Sequence, residues 1–320
     1  MNAYVPIVRL KGAWSTPLYY SSSLFVCSII LCLMSESANA QGVGLTTPRV
    51  AAMGHAGIGG ARANSALILN PAGMSSGASY AVDANYFRTS EGANLLGINV
   101  VDSQTRYSRD RLALGLGYQA LMKSGEASGH DAQVGFSLPV SKLSSSLLLM
   151  GASARYIYDE RTERDGFDLN AGLLLQLSSA VSVGAVGVEL LEEDRRSLGG
   201  GLGLSTQRLS VNLDYLRQLS VSENHYRAGA ELMLSDALVF RFGYLYRQRR
   251  DDELSVMSPN VNDLSLINES PSQQWSGGIA LVGLGGGDGQ LSTSYSYAPE
   301  TKSYFFGLSL STYLNMGINP

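Results

Sequence analysis

From about residue 79 to the end, the chain alternates apolar with polar or small residues over segments of roughly ten, closes each with a turn, and begins again. The segment Phe167-Asp168-Leu169-Asn170-Ala171-Gly172-Leu173-Leu174-Leu175-Gln176-Leu177 is a clear copy. Phe, Leu, Ala and Leu fall on one face, with mainly Asp, Asn, Gly and Gln opposite. Successive strand side chains point to opposite faces, so such a segment has one face suited to oil and one suited to water. A transmembrane β-barrel needs this pattern, because its outer face meets lipid and its inner face a polar lumen.

The first forty residues do not share the pattern. Arg9 and Lys11 are basic, Leu24 to Met34 is an apolar run, and Ala38-Asn39-Ala40 fits an A-x-A cleavage site. Residues 1–40 therefore read as a signal peptide cleaved near Ala40, leaving Gln41 first. The apolar run is too short for a membrane helix, which takes about 20 residues. Cys27 and Cys32, the only two cysteines, both lie in this run, so the exported chain would have no disulfide or thiolate chemistry. Removing Arg9, Lys11 and Glu36 leaves 21 basic and 26 acidic residues, a net charge of −5. That mild acidity offers no footprint for nucleic acid.

Two further regions follow: residues 41–78, rich in Gly, Ala and Ser without strand periodicity, and residues 79–320, which read as strands and turns. Fourteen strands are expected, at 79–88, 94–102, 111–122, 131–139, 147–158, 166–177, 181–190, 196–205, 208–216, 225–234, 237–247, 275–284, 290–298 and 303–314. The segment 181–190 is ambiguous, because Val183, Val186 and Val188 do not share one face. Alternate connections differ in length, as in outer-membrane barrels. Ser178-Ser179-Ala180, Thr206-Gln207 and Ser235-Asp236 are tight, whereas Asp159–Asp165, Leu191–Arg195, Arg217–Asn224 and Gln248–Gln274 are long and charged. Ser103–Asp110 and Lys142–Ser146 are exceptions on the short side. Tyr80, Tyr86, Tyr118, Tyr158, Tyr215, Tyr226, Tyr246, Tyr297 and Tyr304 fall near strand ends, where interface girdles belong. A secreted β-sandwich also alternates. The even strand count, the loop asymmetry and a strand close to the C-terminus favour the barrel, placed in the outer membrane of a Gram-negative-type bacterium with its lipid as partner.

Catalytic chemistry has little foothold. His55, His130 and His225 are scattered without metal-ligand spacing, no G-x-S-x-G elbow occurs, and Gly199–Gly203 lacks the strand–turn–helix context of a nucleotide loop. Neither an enzyme nor a cofactor or metal site is expected. Parity instead turns Asp83, Arg155, Asp168, Asp214, Arg227, Glu231 and Arg241 to the lumen, since a charge on the lipid face costs about 2–4 kcal/mol near the midplane. They either line a polar conduit or pair with one another and with the N-terminal segment; their mixed signs favour pairing.

Residues 41–78 are either a disordered leader or a plug inside the wall. Pro48-Arg49-Val50-Ala51-Ala52-Met53-Gly54-His55-Ala56-Gly57, then Ala66–Leu69 and Asn70-Pro71-Ala72-Gly73-Met74, resemble the N-terminal hatch of the FadL/OmpP1 superfamily of outer-membrane transport proteins. They are also similar to the related PorV/PorQ family. Tyr226–Glu231, Phe240–Tyr244 and the closing Ser294–Leu314 hairpin resemble late strands of PorV-like barrels. The resemblance implies that Asn70, Pro71, Ala72 and Gly73 anchor a hatch against the wall. It also makes Met53, Leu67, Ile68 and Leu69 candidate contacts for a hydrophobic small-molecule ligand. Pro71 holds Asn70 extended, the Asn amide can bind backbone groups, and Gly73 permits a tight reversal. The expected function is passive, hatch-gated transport of hydrophobic small molecules. The alternative is service in protein secretion, with a secretion partner docking at Gln248 to Gln274.

Overall fold

The computed structural model describes residues 45–77, 80–103, 112–123, 126–143, 146–160, 164–220, 223–248, 273–284 and 289–314. The signal-peptide expectation for residues 1–40 lies outside them, as do residues 249–272 of the long loop.

A sheet with unlike faces hides its edges by closing on itself. The strands are β1 (Tyr80–Thr89), β2 (Asn94–Asp102), β3 (Ala113–Lys123), β4 (Glu126–Leu143), β5 (Ser146–Asp159), β6 (Arg164–Gln176) and β7 (Val181–Val188). They continue as β8 (Ser197–Ser205), β9 (Leu209–Gln218), β10 (Glu223–Ser235), β11 (Leu238–Gln248), β12 (Gln273–Leu284), β13 (Gly289–Ala298) and β14 (Ser303–Leu314). Each pairs antiparallel with its sequence neighbours, and β1 pairs with β14, closing a transmembrane barrel of fourteen strands. Leu116, Val134, Phe167, Leu213, Phe242 and Leu310 are exposed on its outer face.

All fourteen expected strands are present, with informative shifts. β4 runs from Glu126 to Leu143 rather than over 131–139. A register shift between Pro139 and Ser141 interrupts its alternation, so the pattern breaks where the strand does not. Lys142 and Ser146 consequently lie in strands, and the exceptional connection 142–146 shortens to residues 144–145. In β7, Val183 is exposed outward while Val186 is buried inward against Ile58 and Leu216. Apolar packing on the inner face is what blurred its alternation.

The rim carrying the β1–β2, β5–β6, β7–β8 and β9–β10 connections is here termed the loop rim, and its opposite the turn rim. Outward ring contacts such as Tyr156–Phe167, Tyr215–Tyr226, Tyr244–Trp275 and Tyr295–Tyr304 lie towards the loop rim. The turn rim carries mainly aliphatic side chains such as Leu204, Leu209, Leu232 and Leu234. The girdle is therefore developed on one side. Tyr80 is an exception at the other.

Residues 45–77 lie within the wall as two short helices, α1 (Pro48–Ala52) and α2 (Ala63–Leu69), and a 3-10 turn over Pro71–Ser76. Thr47 caps α1, its hydroxyl accepting from Val50 N at 3.2 Å, and Pro48 occupies the first helical turn, where an N–H is not needed. Both helices are too short to hold without tertiary contacts. Their buried faces supply those contacts: Val50, Ala61, Ala66, Leu67, Leu69 and Met74 cluster with Val101 and Ala113 of the wall.

Candidate functional site

The site is the interface between this inner segment, or hatch, and the wall. Glycine on inward wall positions sets its geometry, because only a missing Cβ lets two main chains touch. A Cβ built on Gly151 would come 2.5 Å from the Pro71 carbonyl carbon, and one on Gly229 2.5 Å from Met53 O. One on Gly201 would come 2.8 Å from Gly59 N. Cβ atoms on Gly172, Gly184 and Gly243 would run into Asn70, Ile58 and Gly54 respectively. Across β5–β11 the hatch main chain thus rests directly on the sheet. Gly54 on the opposing side has φ +63°, which favours glycine, and lies against Tyr244 of β11.

Asn70 is fully buried and extended (φ −159°, ψ 101°). Its Nδ2 donates to Ile58 O at 2.9 Å, inside the hatch, and to Leu173 O of β6 at 3.1 Å. Its Oδ1 accepts from Ala72 N at 3.2 Å, capping the 3-10 turn. One side chain therefore ties two parts of the hatch to each other and to the wall. Pro71 faces Gly151, Ser137 Oγ donates to Ala72 O at 2.7 Å, and Gly73 is packed against Ala61.

All seven parity-selected charges have inward side chains, and they form three groups. Near the turn rim, Glu231 of β10 accepts from Arg49 of the hatch, with Nε–Oε2 at 3.0 Å, and from Arg241 Nε at 2.6 Å. Glu231 stabilises the protonated Arg49 guanidinium and raises its pKa further above the ordinary arginine value. Asp83 lies on β1 beside this group, lining a polar cavity with Arg49. At mid-wall, Asp214 accepts from Gly57 N at 2.6 Å and Ile58 N at 2.9 Å, and Arg227 donates to His55 O at 3.4 Å. Burial, then the neighbouring Arg227 and Arg247 cations, push the His55 imidazole down to about 3. It is neutral at ordinary pH.

Near the loop rim, Arg155 grips Asp131 and donates to Glu189 at 3.2 Å, while Asp131 accepts from Leu45 N at 2.8 Å. Arg164 joins Glu189 at 3.2 Å, Glu192 at 3.0 Å and Asp168 at 3.6 Å. The charges thus pair with each other and with the hatch instead of forming a ring of one sign. Arg49, Asp131 and Glu189 were not among the sequence candidates. Arg49 had a signal, being the one charge inside the Pro48–Gly57 motif. Asp131 shares parity with Gln133, but sat at the expected edge of β4.

Met53, Leu67 and Leu69 are buried and Ile68 is partly buried. Leu67 packs over Gly115, Gly117 and Gly135, and Met53 over Gly229. In this arrangement Met53, Leu67 and Leu69 fill the hatch–wall interface. Of the long loop, Gln248, Gln273 and Gln274 lie in strands. Among the described residues, no group of three or more His, Cys, Asp or Glu side chains is placed to hold a metal.

Among solved structures, the chain is similar to the monoaromatic hydrocarbon channel CymD, at 15% identity and TM-score 0.52 over 87% of this chain and 98% of that one. It is also similar to the toluene transporter TodX of Pseudomonas putida, at 11% identity and TM-score 0.55 over 87% and 99%. At these identities the likeness is one of fold. No family model and no curated protein sequence matches the chain.

Proposed function

We propose that the chain is an outer-membrane channel for small hydrophobic molecules, opened by displacement of residues 45–77 from the wall. The observation that carries this reading is how the lumen is filled. The hatch occupies it through main-chain contact on glycines and a few polar pins, chiefly Asn70, Asp214, Glu231 and Asp131. Such an interface resists passage when docked, yet separates along main-chain surfaces without unfolding the wall. A lumen built for constant flow of polar solutes would leave an aqueous bore instead. The hydrophobic class is supported by the fold shared with the toluene transporter and the hydrocarbon channel, and by the stacked Phe87–Phe305 pair on the inner wall.

Uptake of radiolabelled toluene tests the reading in cells that carry the chain, lack it, or carry Asn70→Ala. Deletion is expected to slow uptake and Asn70→Ala to change its rate, with the barrel still present in the outer-membrane fraction. Unchanged uptake in both strains would overturn it.

A further inference from the structure

The hatch meets the two halves of the wall differently. Over β5–β8, β10 and β11 it lies on glycines, with Asp214 of β9 holding its backbone N–H groups between them. Over β12–β14 and β1–β3 the wall presents many small polar side chains, and α1 and α2 meet it largely through their own side chains. Ser292, Ser309 and Asn85 fall in one register row across β13, β14 and β1. Gln290, Ser311, Asp83 and Asn99 form the next. Several of these groups have no protein partner. Both amide atoms of Asn85 and of Asn99, Gln119 Nε2 and Ser294 Oγ are buried without a hydrogen bond. Asn99 is wholly buried and Asn85 is 5% exposed.

A buried polar atom left unpaired is costly, because it gives up its hydrogen bonds to water and gains none in return. Several in one seam are tolerable only if water reaches them. A polar cavity of about 20 Å³, enough for a water molecule, lies at the turn-rim end between Arg49, Asp83, Ser292 and Ser309.

Two residues further along these strands, towards the loop rim, the chemistry inverts. Asn85 gives way to Phe87, Gly97 to Leu95 and Gln119 to Leu121. These apolar residues are buried together with Ala93 and the hatch residue Ala51, and Phe305 packs on them. The Phe87 and Phe305 rings stack with centroids 4.5 Å apart and planes 14° from parallel. A continuous apolar layer across a polar path stops water by making the gap costly to wet. It also offers an aromatic molecule the favourable surface that it denies to water.

We propose that Phe87, Phe305, Leu95 and Leu121 form an apolar gate on the loop side of a hydrated seam between hatch and wall, and that a small aromatic molecule enters the lumen there. The seam beneath, lined by Asn85, Asn99, Ser292 and Ser309, is its continuation towards the turn rim. This places the path beside α1 and α2, away from the glycine-docked half. It deepens the channel reading by assigning the entry site within it.

The test separates the gate from the transport reading by using a polar probe. Purified barrels in liposomes are assayed for arabinose entry by swelling, with heat-modifiable gel migration confirming that each variant is folded. Phe305→Ala and Phe87→Ala are expected to raise arabinose entry severalfold, while Phe305→Leu, which keeps the layer apolar, stays near the starting rate. Leu174→Ala, a cavity on the glycine-docked side beside Ala72 and Leu149, is expected to leave entry unchanged. Folded Phe→Ala variants without increased entry would overturn the gate, as would an equal increase in Leu174→Ala. Failure of the toluene uptake assay with leaky Phe→Ala variants would reject the transported ligand and retain the barrier.

Discussion

Arg49 of the hatch and Glu231 of β10 are joined by two hydrogen bonds, Nε to Oε2 at 3.0 Å and Nη2 to Oε1 at 3.2 Å. The fork-to-fork contact fixes orientation as well as attraction. Arg241, with only 2% of its side chain exposed, grips the same carboxylate from the wall. One acid therefore compensates two guanidinium groups, one on the hatch and one on the wall. That makes Glu231 the residue whose loss most directly unpins the hatch near the turn rim.

Glu231→Gln should leave Arg49 and Arg241 without the carboxylate they share. Breaking a buried pair costs about 3–5 kcal/mol, and partial exposure of both Arg49 and Glu231 puts the effect at the low end. Hydrogen exchange over residues 45–77 should accelerate while the strands stay protected. Unchanged exchange in the hatch would show that the pair does not hold it.

Gly243→Ala should dislodge the hatch by another route. A Cβ at this inward position would collide with Gly54 N and the Met53 carbonyl carbon, both main-chain atoms that cannot swing aside. Alanine is readily accommodated in a strand, so the wall should form and migrate as a folded barrel. Limited proteolysis should then cut within residues 45–77 of the variant and not of the parent chain. Equal resistance in both would mean that the close approach is not needed for docking.

The wall was legible in the sequence because lipid outside and side chains inside impose one strict period on every strand. It failed at two places, each with a local cause. Pro139 sits at a bulge that shortens the apparent β4, and Val186 is apolar inward because Ile58 covers it. The seven charges could be turned to the lumen by parity alone. Their partners were harder to read, because Arg49 and Glu231 lie 182 residues apart and Leu45 and Asp131 lie 86 apart. Pairing across a closed barrel depends on how the hatch folds, and the hatch has no period. Asn70 was legible through its Asn-Pro-Ala-Gly neighbourhood. The glycines beneath it were not, because parity turns Gly172 and Gly243 inward with Asp168 and Arg241 but does not show which inward glycines meet the hatch main chain.

Arg155→Met should loosen the start of the hatch near the loop rim. Asp131 is fully buried and holds Leu45 N, so removing its cation leaves a buried carboxylate with backbone partners alone. Loss of about 3 kcal/mol of local stability follows, read as faster hydrogen exchange around residues 45–47. Asp131→Asn in the same chain should recover most of it, since a neutral amide needs no counter-charge. A double variant no better than Arg155→Met would reject charge as the cause.

Acid should release the hatch through His55. In the docked hatch its imidazole is pushed down to about 3 by burial and then by Arg227 and Arg247, whereas an undocked histidine titrates near 6.5. The undocked form therefore binds the proton more readily, and linkage fixes the sign. Docking is at full strength above about pH 6.5 and weakens as pH falls towards 3. Protease cleavage within residues 45–77 should rise between pH 7 and pH 4 in the parent chain, flanking the ordinary histidine range. His55→Gln, which keeps a polar side chain without the proton site, should flatten that rise. The same rise in both chains would move the acid response to the Glu231 pin.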